Sequence, residues 1–146
     1  MTEESAARQP VLFFDGECGL CNRLVRLLLQ LDDHGRLRFA PLQGPSAQGY
    51  LRDHGLSTTD FDTLIFVPDW NQRDRPEFLV RTTGVIGALR TVGGGTAGTL
   101  ATLLAIFPAK IRDAGYRVVA RWRYRIFGQG REGPLARREW AARFLP

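Results

Sequence analysis

Cysteine is scarce in this chain: 146 residues contain two, Cys18 and Cys21. Two thiols three residues apart cannot staple a fold, which excludes the disulfide framework of a small secreted domain. Long apolar runs are also missing. The longest, near Leu100 to Phe107, is too short to span a bilayer. The opening MTEESAARQP is acidic and polar and has no apolar h-region, so no signal peptide is expected and a reducing cytoplasm is the expected compartment. No internal repeat is visible. Histidine is too sparse for a zinc finger: Cys18, Cys21 and His34 have C-x2-C-x12-H spacing, but nineteen residues separate His34 from the next histidine, His54. Lysine is nearly absent, since nineteen of the twenty basic residues are Arg.

Composition is otherwise that of one globular domain, 44% hydrophobic and 24% charged. The net charge of +5 is uneven: residues 109–146 hold ten basic residues against three acids, giving +7, and residues 1–108 carry −2. A basic end on a slightly acidic body invites an anionic partner. No recognised nucleic-acid-binding motif accompanies the charge, which disfavours specific nucleic-acid binding.

The chain is organised around VLFFDGECGLC, Val11 to Cys21. Val11 to Phe14 is a short apolar run between Pro10 and Asp15-Gly16, which predicts a buried strand ending in a turn. Leu20, Leu24, Val25, Leu27, Leu28 and Leu31 recur at the spacing of an amphipathic helix. The thiols therefore stand where a strand hands over to a helix. First-turn N–H groups have no intrahelical partners and the dipole is positive there, so a thiolate at Cys18 is stabilised. Cys21, one turn on, can resolve a mixed disulfide or close one. Asp15 and Glu17 oppose the thiolate by charge. Alternatively, a carboxylate near the pair takes the proton of Cys21 during resolution. A CxxC metal site and a pair of merely structural cysteines are the competing readings.

Residues 1–9 read as a lead-in, 10–128 as the domain and 129–146 as a loosely attached basic tail. The first helix should end near Gly35, acting as C-cap. Arg36 to Ala40 alternates as a second strand with Leu37 and Phe39 inward, ended by Pro41. Gly44 to Gly55 suits a short helix capped by Ser46. Thr63 to Val67 and Phe78 to Val80 predict an antiparallel hairpin, with Trp70 anchoring its loop. Thr82 or Thr83 should cap a helix through Val92, with Gly93 to Gly95 as a linker. Leu100 to Phe107 and Ile111 to Phe127 are further helices, and Trp140, Phe144 and Leu145 are docking residues at helical spacing in the tail. A parallel β-α-β unit followed by a hairpin and a helix is a thioredoxin-like arrangement: an α/β fold with a mixed four-stranded sheet flanked by helices, with extra helices at the C-terminal end.

VLFFDGECGLCN, the strand end FAPLQ and the late FPAKIRDAGYRVVARWRYRIFG together resemble the DCC family of thiol-disulfide oxidoreductases, whose Asp, Cys and Cys match Asp15, Cys18 and Cys21. The resemblance covers about Val11 to Gly128. It implies a thioredoxin-like fold and a dithiol/disulfide site at Cys18 and Cys21 that needs no cofactor. Thioredoxins place a cis-proline just before the third strand, facing the dithiol. Asp60 to Leu64 (DFDTL) has no proline, so Thr63 is expected to occupy that position. The expected substrate-binding set is Glu17, Gly19, Leu20, Thr63, Arg112 and Tyr116, serving a disulfide-bearing protein or a low-molecular-weight thiol. The competing class is a non-catalytic module that binds an anionic partner through its basic last helix, with Arg112, Asp113, Tyr116, Arg121, Arg123 and Tyr124 on its surface.

Overall fold

Pro10, with no N–H to donate, leads into the four apolar residues of β1, Val11–Phe14, which are buried on both faces. A computed structural model describes residues 9–16, 18–32, 35–59, 64–72, 74, 77–127 and 143–145. After β1 come α1 (Gly19–Leu31), β2 (Arg38–Pro41), α2 (Pro45–Asp53), β3 (Ile65–Val67) and β4 (Leu79–Val80). Three helices complete the described chain: α3 (Arg81–Val92), α4 (Gly94–Ile106) and α5 (Ala109–Phe127).

The strands order as β2-β1-β3-β4, with β1 parallel to β2 and β3 antiparallel to both of its neighbours. This is the α/β, thioredoxin-like arrangement of a mixed four-stranded sheet flanked by helices. Alternation along β1 divides the core. Leu12 and Phe14 join Val25 and Leu28 of α1 and Leu89 of α3 on one face. Val11 and Phe13 join Tyr50 and Leu51 of α2 on the other. Phe13 is fully buried and meets Tyr50 and Trp70 edge to face, so its truncation to Ala is expected to cost about 3–5 kcal/mol. Trp70 anchors its loop as expected, and its N–H donates to the Gln9 carbonyl at 2.7 Å.

Several boundaries differ from the sequence reading, each for a local reason. The cap of α1 is Asp32, whereas Gly35 makes a separate left-handed turn at φ +63°. The Asp32 carboxylate accepts the N–H groups of Arg36 (3.1 Å) and Leu37 (2.8 Å), which withdraws both from the ladder and delays β2 to Arg38. Pro41 is the last residue of β2 instead of its terminator. In α2, Pro45 occupies the first turn and Gly44 is the cap, so Ser46 does not cap. β4 runs straight into α3, with Arg81 at φ +55° and its N–H donating to the Leu64 carbonyl at 3.0 Å. That leaves no capping position for Thr82 or Thr83.

Gly93 alone breaks the chain between α3 and α4, at φ +74°, and Gly94 and Gly95 begin α4. Buried Ala97 and Ala101 hold α4 on the core, which outweighs the poor helix propensity of its glycines. The approach of α3 to the sheet needs small residues. A Cβ on Gly84 would sit 3.0 Å from the Leu79 carbonyl oxygen, and one on Gly87 would sit 2.9 Å from the Phe66 ring.

Arg143–Leu145 return to the sheet edge. Phe144 forms a parallel bridge with Phe39, and the Leu145 N–H donates to the Phe39 carbonyl at 2.8 Å. Docking there is strand pairing, in place of the expected helical face. Trp140 lies outside the described residues.

Candidate active site

β1 and β2 are parallel, so their C-terminal ends lie side by side, and the loop after β1 emerges beside the loop after β2. This places Gln43, after β2, against Asp15 and Gly16. The Gln43 side-chain amide donates to the Asp15 carboxylate at 2.7 Å, and its carbonyl accepts the Gly16 N–H at 3.1 Å. Asn22, one turn into α1, donates from its amide to the Gly16 carbonyl at 3.2 Å. The Asp15 carbonyl accepts the Cys18 N–H at 3.2 Å. Two side-chain amides therefore hold the loop that delivers Cys18 to the helix. Asp15 itself is 1% exposed.

Cys18 is the N-cap residue of α1, with extended backbone dihedrals, and its carbonyl accepts the Asn22 N–H at 3.0 Å. Cys21 follows within the first turn. Both are thiols in this structure; Cys18 is 0% exposed and Cys21 5%. They differ in what they face. Cys21 lines an open cavity of about 500 Å³ between α1, Leu64 just before β3, α3, α4 and α5, whereas Cys18 does not. That volume falls in the ordinary range of small-molecule sites.

Leu20, Arg112 and Tyr116 of the expected binding set lie on the cavity wall. Asp15 lies in the loop before α1, and Gly19 is the first residue of that helix. Glu17 and Thr63 lie outside the described residues, as does His34 of the considered zinc spacing. No cis peptide bond occurs among the described residues. Leu64, just before β3, has both backbone groups engaged internally. Its N–H donates to the Tyr116 hydroxyl at 2.9 Å, and its carbonyl accepts from Arg81. Arg121 is exposed, and the side chains of Arg123 and Tyr124 are outside the described set.

Sequence reasoning missed Gln43, Asn22 and the cavity. For Gln43 a signal was present: two parallel strands end together, so a polar side chain just past the second faces the loop of the first. Among the described residues, no group of three or more His, Cys, Asp or Glu comes together as metal ligands would. No described helix is long and apolar enough to cross a membrane.

No solved structure matches the chain. A protein of Bacillus subtilis (strain 168), YuxK, described as uncharacterised, is 33% identical over 146 residues, covering 100% of both chains. A chloroplastic DCC family protein of Arabidopsis thaliana is 28% identical over 122 residues, which is 84% of this chain and 67% of that protein. The family model for DCC1-like thiol-disulfide oxidoreductases matches residues 12–129. With this match spread over most of its length, the chain belongs to the DCC1-like thiol-disulfide oxidoreductase family.

Proposed function

We propose that Cys18 and Cys21 cycle between dithiol and disulfide by exchange with a disulfide-bearing substrate. The observation that carries this reading is the placement of the two thiols one helical turn apart at the start of α1, after a loop that begins with a buried carboxylate. In the proposed sequence Cys18 attacks one substrate sulfur, and a mixed disulfide forms as the other sulfur leaves and takes a proton. Cys21 then attacks the Cys18 sulfur, giving the intramolecular disulfide and the second substrate thiol. Asp15 accepts the proton of the resolving thiol. Cys18 is closed off, so its attack requires the loop of residues 15–18 to open. The protein acts in the cytoplasm on a disulfide-bearing protein or a low-molecular-weight thiol.

One observation favours the reverse order. Cys21, not Cys18, lines the cavity, so a substrate sulfur arriving there meets Cys21 first. Single variants separate the two orders. Each is reacted with a mixed disulfide, and the adduct is weighed and mapped. A persistent adduct on Cys18 of Cys21→Ser supports the first order, and one on Cys21 of Cys18→Ser supports the second. Normal turnover by either variant contradicts a two-thiol mechanism altogether.

A further inference from the structure

The cavity beside Cys21 is walled almost wholly by apolar side chains: Leu20, Leu24, Leu64, Val85, Leu104 and Phe107. Thr82 and Arg112 line it as well. Thr82 Oγ1, from α3, and Arg112 Nε, from α5, are both buried and have no hydrogen-bond partner among the described residues. Buried polar groups in folded proteins are nearly always paired, so two orphans at one apolar chamber mark a place where a partner arrives from outside. A hydroxyl and a guanidinium N–H both donate to an anionic oxygen, and a carboxylate is the planar acceptor that a guanidinium suits best. Charge agrees, since the sequence of α5 carries Lys110, Arg112, Arg117, Arg121, Arg123 and Arg125 against Asp113. Phe107 and Ile111 on its lining are 54% and 59% exposed.

We propose that this cavity binds the substrate of the exchange reaction, and that the substrate is a low-molecular-weight disulfide with an apolar body and one carboxylate head. The head pairs with Arg112 and Thr82 while the sulfurs lie toward Cys21. The inference rests on the dithiol reading above and adds the substrate class to it. One protein thiolate attacks a substrate sulfur, the substrate S–S bond breaks, and its departing sulfur takes a proton. The second protein thiol gives up its proton and attacks the mixed disulfide. Two electrons and two protons thus pass from the protein dithiol to the substrate, and a separate dithiol reductant returns the protein to its starting state. Glutathione disulfide is a poor occupant, because its peptide groups and several carboxylates find no partners on apolar walls.

The test separates binding from chemistry. Octanoate has the apolar body and carboxylate but no sulfur, and its binding to a Cys18→Ser/Cys21→Ser double variant is read by calorimetry. Reduction of lipoate and of glutathione disulfide by the wild-type chain, with dithiothreitol as reductant, is read beside it. Octanoate is expected to bind, and to bind about ten-fold more weakly once Arg112→Met or Thr82→Val is added, as the loss of a hydrogen bond to a charged group implies. Lipoate is expected to be reduced faster than glutathione disulfide, with the preference falling in Arg112→Met. Circular dichroism confirms that each variant is folded, and two independent head-group variants guard against one misfolding. Octanoate binding that is absent, or equal in folded variants, overturns the inference even where lipoate is reduced. Octanoate bound at Arg112 with no disulfide reduced by the wild type sinks the exchange reading, and the substrate assignment with it.

Discussion

The hydroxyl of Tyr116, on α5, accepts the backbone N–H of Leu64 at 2.9 Å. A side chain 52 positions away in sequence thus satisfies the backbone at the residue that precedes β3. The bond also pins α5 against the wall of the cavity that Cys21 lines. Tyr116→Phe removes the acceptor and leaves a partly buried N–H unpaired, so a loss of about 1 kcal/mol in chemical denaturation is expected. With α5 less firmly held, Cys21 should also react faster with N-ethylmaleimide. Unchanged stability and unchanged labelling would mean that this bond holds nothing.

Gln43 bridges Asp15 and Gly16 and acts on the chemistry only through them. Gln43→Leu keeps the bulk and removes both bonds, one of them to a carboxylate, which predicts about 2 kcal/mol of lost stability. If Asp15 accepts a proton during exchange, the reduction rate should fall about ten-fold, and Gln43→Asn should recover little, being one methylene too short. The check is the stopped-flow rate beside the melting curve. A rate that survives intact in a destabilised Gln43→Leu variant would make the bridge purely structural.

Arg143 pairs with the buried Asp32 carboxylate and donates to the Leu37 carbonyl from Nε at 3.0 Å and from Nη2 at 2.9 Å. Burial lowers the Arg143 pKa below its ordinary value, opposed by the charge of Asp32. Arg143→Ala leaves that carboxylate buried with only backbone donors, at an expected cost of about 3 kcal/mol. For a chain of this size, the melting temperature should drop by roughly 10 °C. Arg143→Lys, which lacks the planar fork, should recover only part of the loss. A melting curve unmoved by Arg143→Ala would show that residues 143–145 contribute nothing to holding the sheet edge.

Tyr50 supplies a pH dependence. Burial pushes its phenol up to about 12 from an ordinary value near 10, and its hydroxyl has no hydrogen-bond partner among the described residues. With the folded value raised, the unfolded chain loses this proton first as pH rises. Stability from this group is therefore complete below pH about 10 and is lost between about 10 and 12. Tyr50→Phe should flatten that alkaline limb and be neutral or slightly stabilising near pH 7, since it deletes a buried unpaired hydroxyl. Denaturation curves at pH 7, 9 and 11 suffice. An alkaline limb equally steep in Tyr50→Phe would assign the loss to other groups.

What the sequence made legible follows periodicity and local chemistry. The apolar run Val11–Phe14 and the spacing of Leu24, Val25 and Leu28 encode burial directly, so β1, α1 and the position of the dithiol were readable from a single chain. Buried Ala47, Tyr50 and Leu51 were readable on α2 for the same reason. Caps were less legible. Ser46, Thr82 and Thr83 have the chemistry of caps, but Pro45 and the direct passage from β4 to α3 took those places. The cavity was hidden because it belongs to no element. It arises where α4 and α5 lean on α1 and α3, and α4, with glycine at its start and exposed Leu103 and Ile106, has no clean apolar stripe to announce its docking face. Tyr116 to Leu64 and Arg143 to Asp32 are long-range pairs, and nothing in the local pattern marks either.

The measurement that bears most directly on the central claim is the redox equilibrium of the two thiols. The protein is poised in graded dithiothreitol or glutathione buffers, its free thiols are trapped, and the intact chain is weighed. The account predicts one cooperative transition in which Cys18 and Cys21 change together by two protons, at a potential of roughly −120 to −270 mV, among working thiol-disulfide couples. Thiols that stay reduced across that range, or that oxidise singly and irreversibly, would contradict it.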